Sequence, residues 1–441
     1  MKKRLLLINP VNKSRLGVQS NPRSKYPPIA FGILKKLTPD NWDVKIIDEN
    51  MDDFVYEEAD LVGFTAYTSS ITRAYKISQI YREKGIPTVI GGVHVSIMQD
   101  EALKYTDSVV VGDAEKVWEK ILNDFENNKL QRKYFQPLTN LENIPVADHN
   151  IFNKRYMFGS IQTSRGCPNN CSFCVTPVLY KGKYLRRPVE EILSEIEYHP
   201  KQHLLFIDDN IMGYSELCKQ EAFELVKGMV DKKLNKMWMG NATVDIAENT
   251  EYLKMASEAG CKLLFLGIEA DDEDALKEMN KMVNLRLKVE NYQNAIKKIH
   301  KQGIAVMAGL IFGLDSDNMQ NIEERVSFIK KSDLDAVQMS ILTPFPGTRV
   351  YTKYTEENRI FRNNFPDDWE RYDGLELVYH PKSMDSREFE VQMNHNFKRV
   401  FNKTALFKRY LKSLTHLKKE TAVWGYQSGK HFYKFLKPYF R

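Results

Sequence analysis

Two series of short apolar runs, each run followed by an amphipathic stretch, constrain the fold of this 441-residue chain more than any other feature. The first series gives strand candidates at 4–8, 43–47, 61–65, 88–90 and 108–111. Helical stretches such as 30–37 and 71–84 separate these strands. Apolar strands that alternate with helices predict a parallel sheet with helices on both faces, of the doubly wound Rossmann or flavodoxin-like kind.

A second series begins after a stretch with two prolines and no clear period, "QPLTNLENIPVADHN". Its strand candidates are 160–164, 204–207, 236–241, 262–268, 305–311 and 336–342, and each interval has room for a helix. Six such units predict a partial (β/α)6 barrel of the TIM type, open on one side. The expected division is a first α/β domain at 1–130, a linker at 131–154, a barrel at 155–355 and a mostly helical extension at 356–441.

Composition excludes several classes of protein. Apolar residues make up 42% and charged residues 28%, as in an ordinary globular protein with a sizeable core. No apolar run reaches the roughly 20 residues of a membrane helix. Only five cysteines are present, and none precedes Cys167, so a disulfide framework is excluded and a reducing cytoplasm is expected.

Positive charge concentrates at the C-terminal end. Residues 396–441 carry twelve Lys or Arg against the single acid Glu420, together with many aromatic side chains, whereas the net charge of the whole chain is only +6. One interpretation is a partly packed, solvated helical extension. The other is a surface for an anionic membrane, which would make the protein peripheral at the inner membrane face. Nucleic acid is not an expected partner.

Three cysteines lie on one short stretch, "SRGCPNNCSFC", as Cys167-x-x-x-Cys171-x-x-Cys174. A structural zinc site is closed by four ligands, usually in two separated pairs. Here Cys218 and Cys261 are single and distant, and the stretch holds no histidine. An iron–sulfur cubane held by three thiolates leaves one iron open. The spacing therefore favours a [4Fe–4S] cluster with an exchangeable fourth ligand, with a zinc- or nucleic-acid-binding module as the distant alternative.

With its position after the first barrel strand and Phe173 before the last cysteine, this motif resembles the radical S-adenosylmethionine (SAM) superfamily. The resemblance implies that SAM chelates the open iron and is cleaved to a 5′-deoxyadenosyl radical. Because active sites of barrels lie at the carboxyl ends of the strands, it also implies SAM contacts in "LLFIDDN", "KLLFLGIEA", "GLIFGLDSD" and "LTPFPGTRVY". The implied residues are Phe173, Asp208, Asp209, Asn210, Glu269, Gly309, Gly313 and Pro344. Helix capping is an open alternative for Asp209 and Glu269.

The first domain resembles the cobalamin-binding domain of B12-dependent radical SAM proteins, through "SKYPPIAFGILKKL", "VGFTAYTSSITRAYKIS", "IPTVIGGVHVS" and "VVVGDAEKVWEKI". The resemblance implies cobalamin contacts at Gly63, Thr65, Thr68, Ser69, Gly91, Gly92, His94 and Gly112. One departure matters: many corrinoid proteins have Asp-x-His-x-x-Gly, but the corresponding turn here, "IIDENMDDF", has no histidine. His94 is expected to be a loop or edge residue, and a domain that binds no corrinoid stays open. A methylthiotransferase is excluded, since it would carry cysteines in this domain.

Segments near the end, "TPFPGTRVY", "DDWERYDG" and "HPKSMDSREF", resemble the subgroup that includes hopanoid-modifying enzymes. The resemblance as a whole implies cobalamin-dependent methylation of an unactivated carbon. Radical coupling, cyclisation or rearrangement without methyl transfer is the alternative. The implied partners are a small-molecule or lipid substrate and a low-potential electron donor of the flavodoxin or ferredoxin type. No general acid or base is implied beyond the cluster and the cofactors.

Overall fold

Two six-stranded parallel sheets organise the chain in the computed structural model, which describes residues 2–13, 26–137 and 140–436. The first sheet has the order β2-β1-β3-β4-β5-β6. Its strands are β1 (Lys3–Asn9), β2 (Trp42–Asp48), β3 (Leu61–Thr65), β4 (Thr88–Gly91), β5 (Ser108–Val111) and β6 (Lys133–Phe135). The order of the first five strands is that of flavodoxin-like folds, in which ligands bind at the carboxyl ends of the strands.

Helices cover both faces of this sheet. They are α1 (Ile29–Leu37), α2 (Ile71–Arg82), α3 (Val93–Ile97), α4 (Gln99–Tyr105) and α5 (Trp118–Glu126). Leu5, Leu6, Leu7 and Ile8 of β1 are all fully buried, because a central parallel strand faces helices on both sides. The sixth strand was not predicted: it has three residues, two of them exposed, and so shows no apolar run.

The second sheet has the order β14-β13-β12-β11-β10-β7 and forms the partial barrel. Its strands are β7 (Phe158–Ile161), β10 (His203–Phe206), β11 (Met237–Ala242), β12 (Cys261–Glu269), β13 (Ala305–Phe312) and β14 (Ala336–Ile341). A two-stranded antiparallel ribbon, β8 (Ser164–Arg165) and β9 (Leu185–Arg186), lies beyond the end of β7. The predicted fold class is confirmed: a doubly wound parallel sheet, then six parallel strands with β7 and β14 as the edges.

Helices connect the barrel strands. They are α6 (Thr176–Tyr180), α7 (Val189–Tyr198), α8 (Glu216–Asp231), α9 (Thr250–Glu258), α10 (Glu273–Glu278), α11 (Met282–Leu287), α12 (Tyr292–Lys301) and α13 (Met319–Lys331), and one more, α14 (Arg349–Glu356), follows the last strand. Along β13, Val306 and Ala308 pack in the large core, while Ala305 and Met307 belong to a separate cluster. The period of two therefore assigns alternate residues to the helix-covered outer face and to the barrel interior.

The predicted helical extension closes the lower end of the barrel. Its helices are α15 (Ser386–Val400), α16 (Lys403–Ser413) and α17 (Lys419–Leu436). Ala422 of α17 packs with Leu263 and Ala305, near the starts of β12 and β13. The ring of Trp424 lies 5.5 Å from Phe158 and 5.6 Å from His203, at the starts of β7 and β10. Part of the aromatic tail is thus a hydrophobic floor, on the side opposite to the carboxyl ends of the strands.

The carboxylate of Asp335 anchors the extension to this floor. It accepts hydrogen bonds from the backbone of Val306 at 2.7 Å, from His300 Nε2 at 2.8 Å and from Ser413 Oγ at 2.5 Å. His416 stacks on His300 with ring centroids 4.1 Å apart. Two imidazoles and a carboxylate are metal-ligand types, and their ligand atoms lie within 4.8 Å of one another.

The surroundings of this trio favour an anchor over a metal site. The guanidinium of Arg409 is buried within electrostatic reach of Asp335, and burial lowers its pKa to about 10. The positive charge of Arg409 next to these three side chains opposes the binding of a metal cation. The carboxylate oxygens already accept hydrogen bonds from both the barrel and α16.

We predict that Asp335→Ala detaches the C-terminal helices, because it leaves buried polar partners unpaired. The local free energy of opening of α16 and α17 should fall by about 3–5 kcal/mol, measured by native-state hydrogen exchange. Asp333→Ala is the matched control. Asp333 pairs with Lys412 at 2.7 Å but is 22% exposed, so its loss should cost about 1 kcal/mol or less. Equal losses in the two variants would contradict the anchor.

Candidate functional site

The loop that carries the three cysteines begins at the end of the first barrel strand, and Asp208 holds its entry. Asp208 Oδ1 accepts hydrogen bonds from Thr163 N at 2.9 Å, Thr163 Oγ1 at 3.0 Å and Ser164 Oγ at 2.6 Å. The backbone N–H of Ser164 donates to the same oxygen. Asp208 is 1% exposed. Its carboxylate is therefore engaged in fixing the chain three residues before Cys167.

The spacing of the three sulfurs does not fit zinc. With Zn–S bonds of about 2.3 Å, tetrahedral geometry would place the sulfurs about 3.8 Å apart. The sulfurs of Cys167, Cys171 and Cys174 do not all lie within 4.8 Å of one another. A cubane places one iron corner under each thiolate and so tolerates a wider set of three. Three thiols on one short loop are thus the donor set of a [4Fe–4S] cluster with one open iron.

The protein around the three cysteines shields them partly from water. Cys167 is buried, while Cys171 and Cys174 are partly buried. Burial raises the pKa of all three thiols, that of Cys174 to about 11. The hydroxyl of Tyr214 donates to Cys167 Sγ at 2.9 Å. Hydrogen bonds to sulfur and restricted solvent are the means by which a protein tunes such a cluster.

Glu269 and Lys281 form an ion pair next to the cysteine loop. Lys281 Nζ lies 2.9 Å from Glu269 Oε1, and both side chains are mostly buried. Burial alone would lower the pKa of Lys281, but Glu269 and then Cys171 raise it above its usual value. Glu269 has φ +64° at a break in the register between β12 and β13. A non-glycine residue in this region is strained, and such strain is concentrated at functional sites.

Lys281 was not predicted from the sequence. It lies just before α11, outside every strand end, and no motif marks it. Tyr214 was missed for the same reason: it lies in a turn that precedes α8. Only the packing of the connecting segments over the strand ends brings these side chains to the cysteines.

The two residues after Asp208 differ in environment. Asp209 keeps solvent access and accepts a hydrogen bond from Thr176 Oγ1 at 3.1 Å, and the surrounding protein raises its pKa to about 6 by desolvation. Asn210 is buried, and its amide donates to Gly213 O at 3.0 Å and to Thr243 Oγ1 at 3.3 Å. Of the side chains of Asp208, Asp209 and Asn210, only that of Asp209 is accessible to a ligand.

The remaining residues implied as SAM contacts pack against protein. A Cβ on Gly309 would lie 2.8 Å from the ring of Phe265, and one on Gly313 would lie 2.6 Å from the hydroxyl of Tyr379. Pro344 is buried and Phe173 is partly buried against the main core. These glycines are therefore required by close packing, and their SAM contacts stay predictions.

A cavity opens at the carboxyl edge of the first sheet, beside residues that flank the cysteine loop. It encloses about 1400 Å³ of empty space, part of it open to solvent. The predicted cobalamin residues Gly63, Thr65, Gly91, Gly92 and Gly112 line it, and Gln162, Arg165 and Tyr180 of the barrel complete it.

Two glycines shape the floor of this cavity. Gly92 has φ +108°, and a Cβ there would lie 2.7 Å from Ala66 O. Gly112 has φ +79°, and no atom lies within 4 Å of the position that its Cβ would occupy. Gly92 is therefore required by close packing against the backbone of Ala66, and Gly112 leaves bare backbone with open space above it, as the approach of a large, flat corrinoid requires.

Thr68 and His94 do not face this cavity. His94 is fully buried in α3, so the expectation of a loop or edge position is wrong. Its Nδ1 lies 3.3 Å from Thr68 Oγ1, its Nε2 lies 3.3 Å from Glu101, and its ring packs edge-on against Trp369. Both ring nitrogens thus have partners inside the protein. Ser69 lies in the same 3-10 turn as Thr68.

The comparisons with known proteins agree with these two sites. The radical SAM superfamily model matches residues 161–329, and the B12 binding domain model matches residues 16–122. The chain is 28% identical over 92% of its length to bacteriochlorophyllide d C-12(1)-methyltransferase of Chlorobaculum tepidum, of which it covers 89%. It is 27% identical over 77% of its length to hopanoid C-2 methylase of Rhodopseudomonas palustris, of which it covers 66%.

Solved structures show the same fold. The radical SAM methyltransferase TsrM of Kitasatospora setae, with cobalamin and a [4Fe–4S] cluster bound, superposes with a TM-score of 0.72. That match covers 99% of this chain and 100% of TsrM at 16% identity. The cobalamin-dependent radical enzyme OxsB, with aqua-cobalamin bound, gives 0.69 over 96% of this chain and 72% of OxsB, also at 16% identity.

Two neighbouring carboxylates give a matched test of the cysteine loop. Asp208→Ala should lower the iron retained after anaerobic reconstitution by about tenfold, because the loss of a buried multiple acceptor costs roughly 3–5 kcal/mol and frees the loop entry. Asp209→Ala should retain wild-type iron, because Asp209 holds only Thr176. Iron per chain is the measurement, with hydrogen exchange at 163–164 as a second readout. Normal iron in Asp208→Ala would show that the loop does not depend on it.

Proposed function

The chain is a radical SAM enzyme with a B12-binding domain, and we propose that it methylates an unactivated carbon of a bulky, mostly apolar organic compound. One observation carries the proposal: the glycine-lined cavity of the first domain adjoins the three-cysteine loop, because Arg165 and Tyr180, which flank that loop, line the cavity. Two cofactors that must act on one substrate need such adjoining sites.

Different residues would bind the cluster, SAM and cobalamin. Cys167, Cys171 and Cys174 would hold the [4Fe–4S] cluster, and Asp209, Glu269 and Lys281 offer charged groups for the polar ends of SAM. When bound, the cluster and SAM supply hydrogen-atom abstraction, and cobalamin supplies methyl transfer. The protein binds, orients and excludes water, as the burial of the cysteine loop allows. Gly63, Gly91, Gly92 and Gly112 would contribute to a cobalamin site, and the turn "IIDENMDDF" offers no histidine as a ligand.

The names of the relatives support the proposed substrate class. Two are named for methylation of bacteriochlorophyllide d and one for methylation of hopanoids at C-2. Radical SAM methyltransferases also need a reductant, and we expect a flavodoxin or ferredoxin of low potential to serve. A second candidate function is ring closure without methyl transfer, because the chain is 25% identical over 78% of its length to an anaerobic magnesium-protoporphyrin IX monomethyl ester cyclase of Rubrivivax gelatinosus.

The test is anaerobic turnover of the reconstituted protein with SAM that carries a deuterated methyl group. Chlorophyllide and hopanoid extracts serve as candidate substrates, and mass spectrometry follows the product. We expect one deuterated methyl per product molecule and 5′-deoxyadenosine in step with it. A product that has lost hydrogen without gaining the label would support ring closure and contradict methylation.

Peripheral membrane attachment is a separate proposal, supported by the exposed face of α16. Phe407, Leu411 and Leu414 are 54%, 47% and 38% exposed, and their spacing places them on one side of the helix. Exposed lysines, including Lys403 and Lys408, lie among them. None of the described helices has the length and apolar composition that a bilayer crossing requires. Because α16 belongs to the barrel floor, such contact would tether the protein with its site facing away from the lipid.

We predict that Phe407→Ser/Leu411→Ser lowers sedimentation with vesicles of half anionic lipid, since it removes the apolar contact. Val391→Ser is the control: Val391 is 64% exposed on α15, outside this face. These surface variants are preferable to a truncation after Val400, which would also remove the floor of the barrel. Equal binding by all three proteins would end the membrane proposal.

A further inference from the structure

Arg165 joins the cysteine loop to the first domain. It is the last residue of β8, two positions before Cys167, and its side chain is 7% exposed. Its Nη1 lies 2.7 Å from Asp113 Oδ1 and its Nη2 lies 2.6 Å from Glu115 Oε1. Its Nε donates to Gln162 Oε1 at 2.9 Å. All three guanidinium nitrogens thus have a partner, and two of these partners, Asp113 and Glu115, belong to the turn 112–115.

The other end of the cysteine loop reaches the same turn. Tyr180, at the end of α6, donates its hydroxyl to Asp113 Oδ1 at 3.1 Å. Gly166 lies between Arg165 and Cys167 with φ +87°, and a Cβ there would lie 2.2 Å from Lys183 O. The chain between Arg165 and the first cysteine is therefore fixed by close packing. Both flanks of the three-cysteine loop are held by one carboxylate of the first domain.

The turn 112–115 is itself part of the glycine-lined cavity. It follows β5 at the carboxyl edge of the sheet, and Gly112, Asp113 and Glu115 all line the cavity. The N–H of Gly112 donates to Ser96 Oγ at 2.9 Å, which fixes the start of the turn. A ligand in the cavity and the cysteine loop therefore share one short segment.

Domain adhesion does not account for this ion pair. Other contacts already join the first domain to the rest of the chain: Thr72 Oγ1 to Pro366 O at 2.6 Å, and Trp369 Nε1 to Glu101 at 3.0 Å. Burial of a guanidinium between two carboxylates adds little stability, because desolvation offsets the attraction. Its planar, two-pronged geometry instead fixes direction and distance.

We propose that Arg165 is a positioning residue, which clasps the turn 112–115 against the cysteine loop and so fixes the separation between the cobalamin cavity and the cluster site. The proposal rests on the proposed function, in which both sites serve one substrate. Without the clasp, each site still forms, but their spacing varies. Radical generation then continues while methyl transfer to the substrate becomes inefficient, since a displacement of about 1 Å can cost roughly 100-fold in rate.

The test compares Arg165→Gln with Arg399→Gln in the full-length protein. Arg399 also forms a two-pronged pair, with Glu323 at 2.6 Å, but it lies on α15 and lines neither the glycine-lined cavity nor the cysteine loop. Without cofactors, Arg165→Gln should speed hydrogen exchange at both 112–115 and 166–174, and Arg399→Gln should not. With cobalamin, quenching of Trp118, which lines the cavity, should show weaker binding in Arg165→Gln only.

The decisive readout is the number of methylated products per 5′-deoxyadenosine. Arg165→Gln should lower this ratio at least about tenfold, the scale of a sub-ångström misplacement, when the proteins compared are matched for iron bound per chain. If Arg165→Gln does not fold, Asp113→Asn and Tyr180→Phe are measured, and both should shift the ratio in the same direction. The proposal would be overturned if these variants kept the wild-type hydrogen-exchange rates and the wild-type ratio of methylated product to 5′-deoxyadenosine. It would also be overturned if Arg399→Gln changed both quantities as much as Arg165→Gln does. A wild-type protein that binds cobalamin but methylates nothing would refute the proposed function, and the exchange and affinity data would still decide the role of Arg165.

Discussion

The attachment of one short loop at both of its ends is the constraint on which the rest of the structure depends. Three thiols in eight residues can serve as a partial ligand set only if their backbone is held still. Asp208 holds the entry through four hydrogen bonds, and Asp113 holds both flanks through Arg165 and Tyr180. Asp208 and Asp113 thus fix the loop without being ligands of the cluster. Asp208 follows a neighbouring barrel strand, and Asp113 belongs to the first domain.

The barrel explains why the loop can be placed this way. The carboxyl ends of parallel strands meet at one edge, so β7 delivers the cysteines where β10 delivers Asp208 and β12 delivers Glu269. The opposite end is closed by α17, and the preceding helix α16 is anchored through Asp335. The partial barrel thus has apolar residues at its closed end and charged residues at the carboxyl ends of its strands, where Arg165 and Tyr180 border the cavity of the first sheet.

Much of this arrangement could be predicted from the sequence because the signals are local. Buried parallel strands are unbroken apolar runs, so all six barrel strands and five of the first sheet were placed to within a few residues. The three-residue β6 had no such run. Asp208 was predicted as a SAM contact because it follows a strand; its role in holding Ser164 depends on a neighbour 44 residues away. Lys281 and Arg165 likewise depend on long-range packing, and no local pattern reveals them.

We infer that three thiolates hold a cluster whose fourth iron is free to bind SAM. Electron paramagnetic resonance of the anaerobically reconstituted, reduced protein, with and without SAM, tests this most directly. We expect about four irons per chain and a spectrum whose g-values change when SAM is added. Tightly bound zinc in place of iron, or a cluster spectrum that SAM leaves unchanged, would contradict the account.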